Sequence, residues 1–291
     1  MSYKPAVEGV KAVLVTLLSK NPKLEETLQL ALEEKFIDLA QVLARYNSRV
    51  DFIKLSAAKS IDEVIAMLTA LEKRELEEVY NMLPQELQLF YRVNLTLFDL
   101  DNVHSAMLSG DKKSAKLVFS RSQELEVYGK CFESRSYACL LKAFLEGVRS
   151  SLEVGLMKII AESTAKALGC LVLLASARYC KYALNANKLG MAIEEPLQVF
   201  LKEVVYGYVP KEPSAWLITV KISSIAEHLH EAFRKDSSRV TLYEATHVYK
   251  TCRELLLYSS QLIDLLTLYL INRYYEVLVL KYVLPQARVF K

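Results

Sequence analysis

Apolar residues return at helical spacing along almost the whole chain, and that rhythm limits what it can fold into. Leu28, Leu32, Phe36, Leu39, Leu43 and Tyr46 advance in steps of three and four, which puts them on one face of a helix. Val64, Met67, Leu68 and Leu71 repeat the pattern, followed by Leu76, Val79, Tyr80 and Leu83. No stretch shows the sustained period-two alternation of a half-buried strand. Eight glycines in 291 residues are too few for glycine-rich phosphate loops or for a sandwich of many tight turns. The expected fold class is all-α.

Local signals punctuate that pattern. Ser60 ahead of Ile61-Asp62-Glu63 forms a capping-box arrangement, supplying acceptors to the first free amides of a helix. Pro84 should end that helix, and the next is expected from Gln85 to Phe98. Gly110-Asp111 marks a break. Helices are then expected over 112–128, from Ser136 into the 150s, and over Leu152–Asn185 as one long buried element. Tyr206 to Pro213, with one Gly and two Pro, reads as a loop. Helices over 214–234, 241–259 and 261–284 follow, closed by Pro285.

Charge and hydropathy narrow the class further. Residues 1–111 carry 12 basic and 17 acidic side chains, 112–166 carry 10 and 6, and 167–291 carry 15 and 11. The net +3 is too mild to indicate a nucleic-acid partner, and the acidic first part suggests a face of its own. The longest uncharged apolar stretch, Ala167 to Ala177, falls short of the roughly 18–20 residues that cross a bilayer. Glu8 and Lys11 break any apolar run of a signal peptide, so a cytoplasmic protein is expected. Cys131, Cys139, Cys170, Cys180 and Cys252 are odd in number and match no zinc spacing; they read as small buried hydrophobes in a reducing compartment.

Catalytic chemistry finds no support in the residues. None of the phosphate-loop, dinucleotide, zincin, nucleophile-elbow or EF-hand motifs occurs. His228 and His230 point about 200° apart on a helix and cannot chelate one ion. His104 and His247 read as isolated surface or capping residues. Seventeen tyrosines suit partly wet, packed surfaces, interfaces among them. No cofactor, metal site or catalytic residue is expected.

One pattern recurs. Phe98-Asp99-Leu100-Asp101-Asn102-Val103-His104 and Arg273-Tyr274-Tyr275-Glu276-Val277-Leu278-Val279-Leu280-Lys281 share an acid, an aliphatic, two variable positions, an aliphatic and a base. Acid and base five residues apart lie about 140° apart on a helix, so each should serve a different neighbour. A long amphipathic helix enters each copy, through Leu87–Leu97 and Leu262–Ile271.

The segment from Tyr91 through Phe98, Asp99, Leu100, Asn102, Val103 and Leu108 resembles the repeated element of the C-subunit family of archaeal and bacterial A/V-type ATPases. Eukaryotic vacuolar ATPases have a counterpart of that family in their d-subunit. His104 stands where the family has a base, and the family's following arginine is absent. Glu276, Val277, Leu280 and Lys281 are similar to its closing element, with Val279 in place of Asn. The order Gly9–Leu18, Leu24–Leu32 and Leu39 to Tyr46 is similar to its opening helices. Arg178-Tyr179-Cys180-Lys181-Tyr182 looks like the tail of a middle copy, with Glu153 to Lys158 as a competing placement.

The resemblance implies three similar helical units, over 1–110, 111–195 and 196–291, in a pseudo-threefold funnel or cup. It further implies a non-catalytic rotor component, seated on the cytoplasmic face of the membrane proteolipid ring and receiving the central shaft. Phe98, Asp99, Asp101, Asn102, Arg178, Lys181, Arg273, Glu276 and Lys281 are then the candidates for repeat-motif or protein-interaction roles. Two other classes compete: a helical scaffold, against which the lack of a 34- or 40-residue period counts, and an isoprenoid-type enzyme, for which Asp99-Leu100-Asp101 is too sparse in aspartate.

Overall fold

A computed structural model describes residues 3–20, 60–111, 117–120, 128–156, 161–211, 213–236, 239–259 and 261–283, with isolated positions between 26 and 35. Every regular element among them is helical. The apolar rhythm from Leu28 to Tyr46 lies outside the described residues apart from those isolated positions. Contacts gather the chain into two compact units, Met1–Leu83 with Tyr269–Lys291, and Pro84–Leu268. Residues 110 and 195, the expected boundaries, both fall within the second.

The first unit contains α1 (Tyr3–Lys20), α2 (Ile61–Met82) and the later part of α11 (Leu262–Val283). Val10, Leu14 and Leu18, four residues apart, bury one stripe of α1. Ser60 caps α2 as expected: its Oγ accepts the Glu63 amide at 3.2 Å. Leu76, Val79 and Leu83 bury the inner side of this segment.

In the second unit Pro84 opens α3 (Gln85–Leu95). The helix expected to reach Phe98 stops at Leu95, and a 3₁₀ turn covers Thr96–Asp99 before α4 (Leu100–Ser109). Thr96 accounts for part of this: its Oγ lies 2.6 Å from the Val93 carbonyl and 2.6 Å from the Tyr128 hydroxyl. Gly110, at φ 75°, ends α4 in the left-handed conformation that a side chain disfavours. The helix expected over 112–128 is corrected where it is described, because residues 117–120 are not helical. The amides of Val118, Phe119 and Ser120 are given to a side chain instead.

Next come α5 (Gly129–Ser134), α6 (Tyr137–Leu156) and α7 (Ala161–Lys188). Of the helix expected over 152–185, residues 152–156 belong to α6 and 161–185 to α7, and the residues between lie outside the described ones. Arg135, at φ 50°, turns the chain sharply after α5 and brings Cys131 and Cys139 to a Cα separation of 5.5 Å, where they form a disulfide. This overturns the reading of all five cysteines as free thiols; Cys170, Cys180 and Cys252 are free and buried. A cross-link over a sequence separation of 8 restricts the unfolded chain. Cys131→Ser should therefore lower stability by about 2–3 kcal/mol, read as a drop in Tm that reducing agent reproduces in the unmodified protein.

The interior of this unit is built around α7, which is apolar on nearly all sides and packs against α6, α8 (Leu197–Tyr208), α9 (Pro213–Lys235) and α10 (Val240–Leu256). Gly169 permits the close pass of α9, since a Cβ there would sit 3.0 Å from Ile218. Within α7, Ala165–Lys188 is long and apolar enough to cross a membrane, and most of it is buried within the fold, as in a core helix. The expected loop at 206–213 is shorter than anticipated, because α8 runs through Tyr208 and α9 starts at Pro213.

Candidate functional site

The recurring acids sit inside the protein. Asp99, fully buried, ends the 3₁₀ turn and aims its carboxylate at residues 118–120. It accepts the amides of Val118 at 3.0 Å, Phe119 at 2.9 Å and Ser120 at 2.8 Å, and the Ser120 hydroxyl at 2.6 Å. The neighbouring Phe98 ring meets Phe119 with centroids 5.0 Å apart. Two adjacent motif residues thus hold one segment, one by charge-assisted hydrogen bonds and the other by aromatic packing. Asn102 is half-buried on α4.

Asp101, Arg178 and Lys181 meet in a network of the second unit that joins α4, α6, α7 and α10. The Arg178 guanidinium donates to the Asp101 carboxylate and, at 3.2 Å, to the Tyr137 hydroxyl. Lys181, one helical turn on, pairs with the fully buried Glu244 at 2.8 Å. The two cations and two anions balance, as a cluster largely withdrawn from water requires, while Asp101 keeps its outer side exposed. Partial desolvation opposes ionisation of Asp101, but Arg178 and Lys181 outweigh it and hold the carboxyl at about 2. Burial and the Arg178 charge push the Lys181 ammonium down, against the pull of Glu244 and Asp101.

The Asp101 shift carries a pH signature. The folded value lies below the ordinary 3.8, so its contribution is present above that value and lost as pH falls towards about 2. Asp101→Asn should flatten the acid limb of stability between about pH 4 and pH 2, measured by urea titration at each pH.

A second network lies in the first unit, where Arg273 is surrounded by glutamates. Its guanidinium reaches Glu75 at 2.5 Å, Glu276 at 2.5 Å and Glu72 at 3.7 Å. The Tyr269 hydroxyl donates to Glu75 at 2.9 Å. Burial raises the Glu276 carboxyl above its ordinary range, and Glu75 adds to this against the opposing pull of Arg273. Burial also works against the Arg273 charge, but Glu276, Glu72, Tyr269 and Glu75 together hold the guanidinium protonated. Lys281 lies on the last turns of α11, and its side chain is outside the described residues.

The two copies of the sequence pattern therefore use their acids differently: Asp99 receives backbone amides, and Glu276 receives an arginine. The sharper correspondence is between Arg178-Tyr179 and Arg273-Tyr274. Each arginine sits on a long helix and binds at least one carboxylate from an earlier helix of its unit. Tyr137, Glu244, Glu72 and Glu75 were missed by sequence reasoning. Three of them carried a signal, because Glu72, Glu75 and Glu244 occupy positions of their helices' apolar stripes.

His104 and His247 are not the isolated surface residues expected. His104 packs against Tyr137 and Tyr182, with centroids 4.6 and 5.4 Å away, and burial pushes its imidazole down. His247 lies against His228, with centroids 5.0 Å apart. Among the described residues no cluster of three His, Cys, Asp or Glu could hold a metal ion.

Fold and site together define an all-α protein whose recurrent polar residues are internal fastenings. No family model matches the chain, and no curated protein or solved structure is significantly similar to it.

Proposed function

We propose that this chain is a non-catalytic central-stalk component of an A/V-type ATP synthase or ATPase, coupling the rotor shaft to the membrane proteolipid ring. The observation that carries the reading is the paired use of Arg-Tyr on long helices. Arg178 is fastened by Asp101, and Arg273 by Glu72, Glu75 and Glu276. Recurrence of one fastening in separate parts of the chain supports an origin from a repeated bundle, with three units over 1–110, 111–195 and 196–291 arranged as a funnel or cup. A torque-transmitting part needs stiffness, and helices pinned by buried ion pairs supply it. In this reading the protein is cytoplasmic, has no membrane span of its own, and reaches the plasma membrane through the complex.

The test is affinity capture of the tagged full-length chain from detergent-solubilised membranes of its own cells. Co-recovery of proteolipid and shaft proteins is the expected result. Recovery without either overturns the reading. A helical scaffold or adaptor is the second reading, favoured by apolar side chains left exposed on α8 and α9: Tyr206 at 79%, Trp216 at 69%, and Leu217 and Val220 at about two-fifths. The same capture separates the two, since a scaffold would return soluble partners.

A further inference from the structure

Helices α9 and α10 leave a cleft of about 430 Å³ between them, lined by none of the residues of the two ion networks. Lys221 lines it from α9 and Lys250 from α10, and neither ammonium group has a hydrogen-bond or ion-pair partner among the described residues. His228 and His247 border it as well, their rings 5.0 Å apart. The His228 Nδ1 lies 2.6 Å from the Ser224 carbonyl, which places the hydrogen on Nδ1 in the neutral ring and leaves Nε2 for the cleft. The His247 Nε2 is closed off from water and has no hydrogen-bond partner among the described residues.

Of the carboxylates, Glu231 is occupied by Lys235 at 2.7 Å. Glu254 is the other acid of the lining. Two uncommitted ammonium groups and two imidazoles thus confront one uncommitted carboxylate. A cation finds no ligand cluster here. A single carboxylate guest brings one charge and two coplanar oxygens, too little for cationic groups on both walls. A phosphoryl group brings up to two charges and a tetrahedral set of acceptors. The volume is in the lower part of the range for small-molecule sites, about 300–1,000 Å³.

We propose that the cleft between α9 and α10 binds a phosphoryl dianion, clasped by Lys221 and Lys250, with protonated His228 as an additional donor and the His247 imidazolium adding positive charge beside it. The dianion is either a soluble phosphate or phosphomonoester, or the same group on a lipid head. Burial, His228 and Lys221 hold the His247 imidazole below its ordinary value in the empty cleft. A bound dianion reverses the balance of charge and should lift its midpoint by about one pH unit.

The experiment is an NMR titration of His247 in the full chain with inorganic phosphate, and separately with phosphatidylcholine vesicles doped with phosphatidic acid. The expected result is a rise in the midpoint. It should be lost in Lys221→Gln/Lys250→Gln, and the dissociation constant should weaken about fivefold in Lys250→Gln alone, an exposed position where the fold is not at risk. Lys202→Gln, on the exposed side of α8, should respond as the unmodified protein does. Response to free phosphate assigns a soluble ligand, and response to the vesicles alone assigns a lipid head group. Response to neither, or an equal response in a correctly folded Lys221→Gln/Lys250→Gln protein, overturns the proposal. None of these outcomes depends on the rotor reading.

Discussion

Asp99→Ala should destabilise the protein by about 3–4 kcal/mol, the largest loss expected from any single carboxylate. Three backbone amides and one hydroxyl lose their acceptor at once. A buried donor left without a partner costs about 1–3 kcal/mol, and water reaching the half-buried amides of Val118 and Ser120 reduces the sum. Asp99→Asn keeps one acceptor oxygen and should lose roughly half as much. Denaturant unfolding measures the magnitude, and amide exchange locates it. Val118, Phe119 and Ser120 should exchange far faster in the alanine variant while α7 keeps its protection. Uniform loss of protection throughout the second unit would show that Asp99 does not act on this segment in particular.

Arg273→Met should cost about 3–5 kcal/mol at neutral pH, because Glu72, Glu75 and Glu276 would be left buried without their cation. The deficit should shrink as pH is lowered, since the glutamates can then shed charge by taking up protons. Glu276 supplies the converse test. Its folded value lies above the ordinary 4.5, so the folded state holds the proton longer than the unfolded chain does. This contribution is full below the unfolded value and is lost as pH rises through the folded one. Glu276→Gln removes the titration and should be at least as stable as the original protein at pH 8. Denaturation midpoints of both variants between about pH 4.5 and pH 8 decide the matter; a pH-independent deficit in Arg273→Met would contradict the glutamate account.

Much of the helical architecture could be read from periodicity, because a helix needs only a continuous apolar stripe and local stop signals. Ser60, Pro84 and Gly110 are such signals, and each acts where expected. The failures came where a side chain took hydrogen bonds that the backbone would otherwise have made for itself. Residues 118–120 read as helix, yet Asp99, some twenty positions earlier, takes their amides. Thr96 likewise interrupts the helix expected to continue to Phe98. The disulfide could not be inferred, since nothing in Cys131 or Cys139 announces the turn at Arg135. The candidate residues were found as a recurring pattern, but their partners lie at distant positions. An acid inside an apolar stripe, as at Glu72, Glu75 or Glu244, is the clue that would have exposed the buried networks.

Those enclosed ions also bear on the temperature at which such a molecule works best. Hydration of charged groups becomes less favourable on heating, so stripping water from Arg178, Lys181, Arg273 and their carboxylates becomes less costly. Interior charges that barely break even in cold water thus turn into net assets in hot water. The same clusters that make the molecule sensitive to pH favour operation near the upper end of its thermal range.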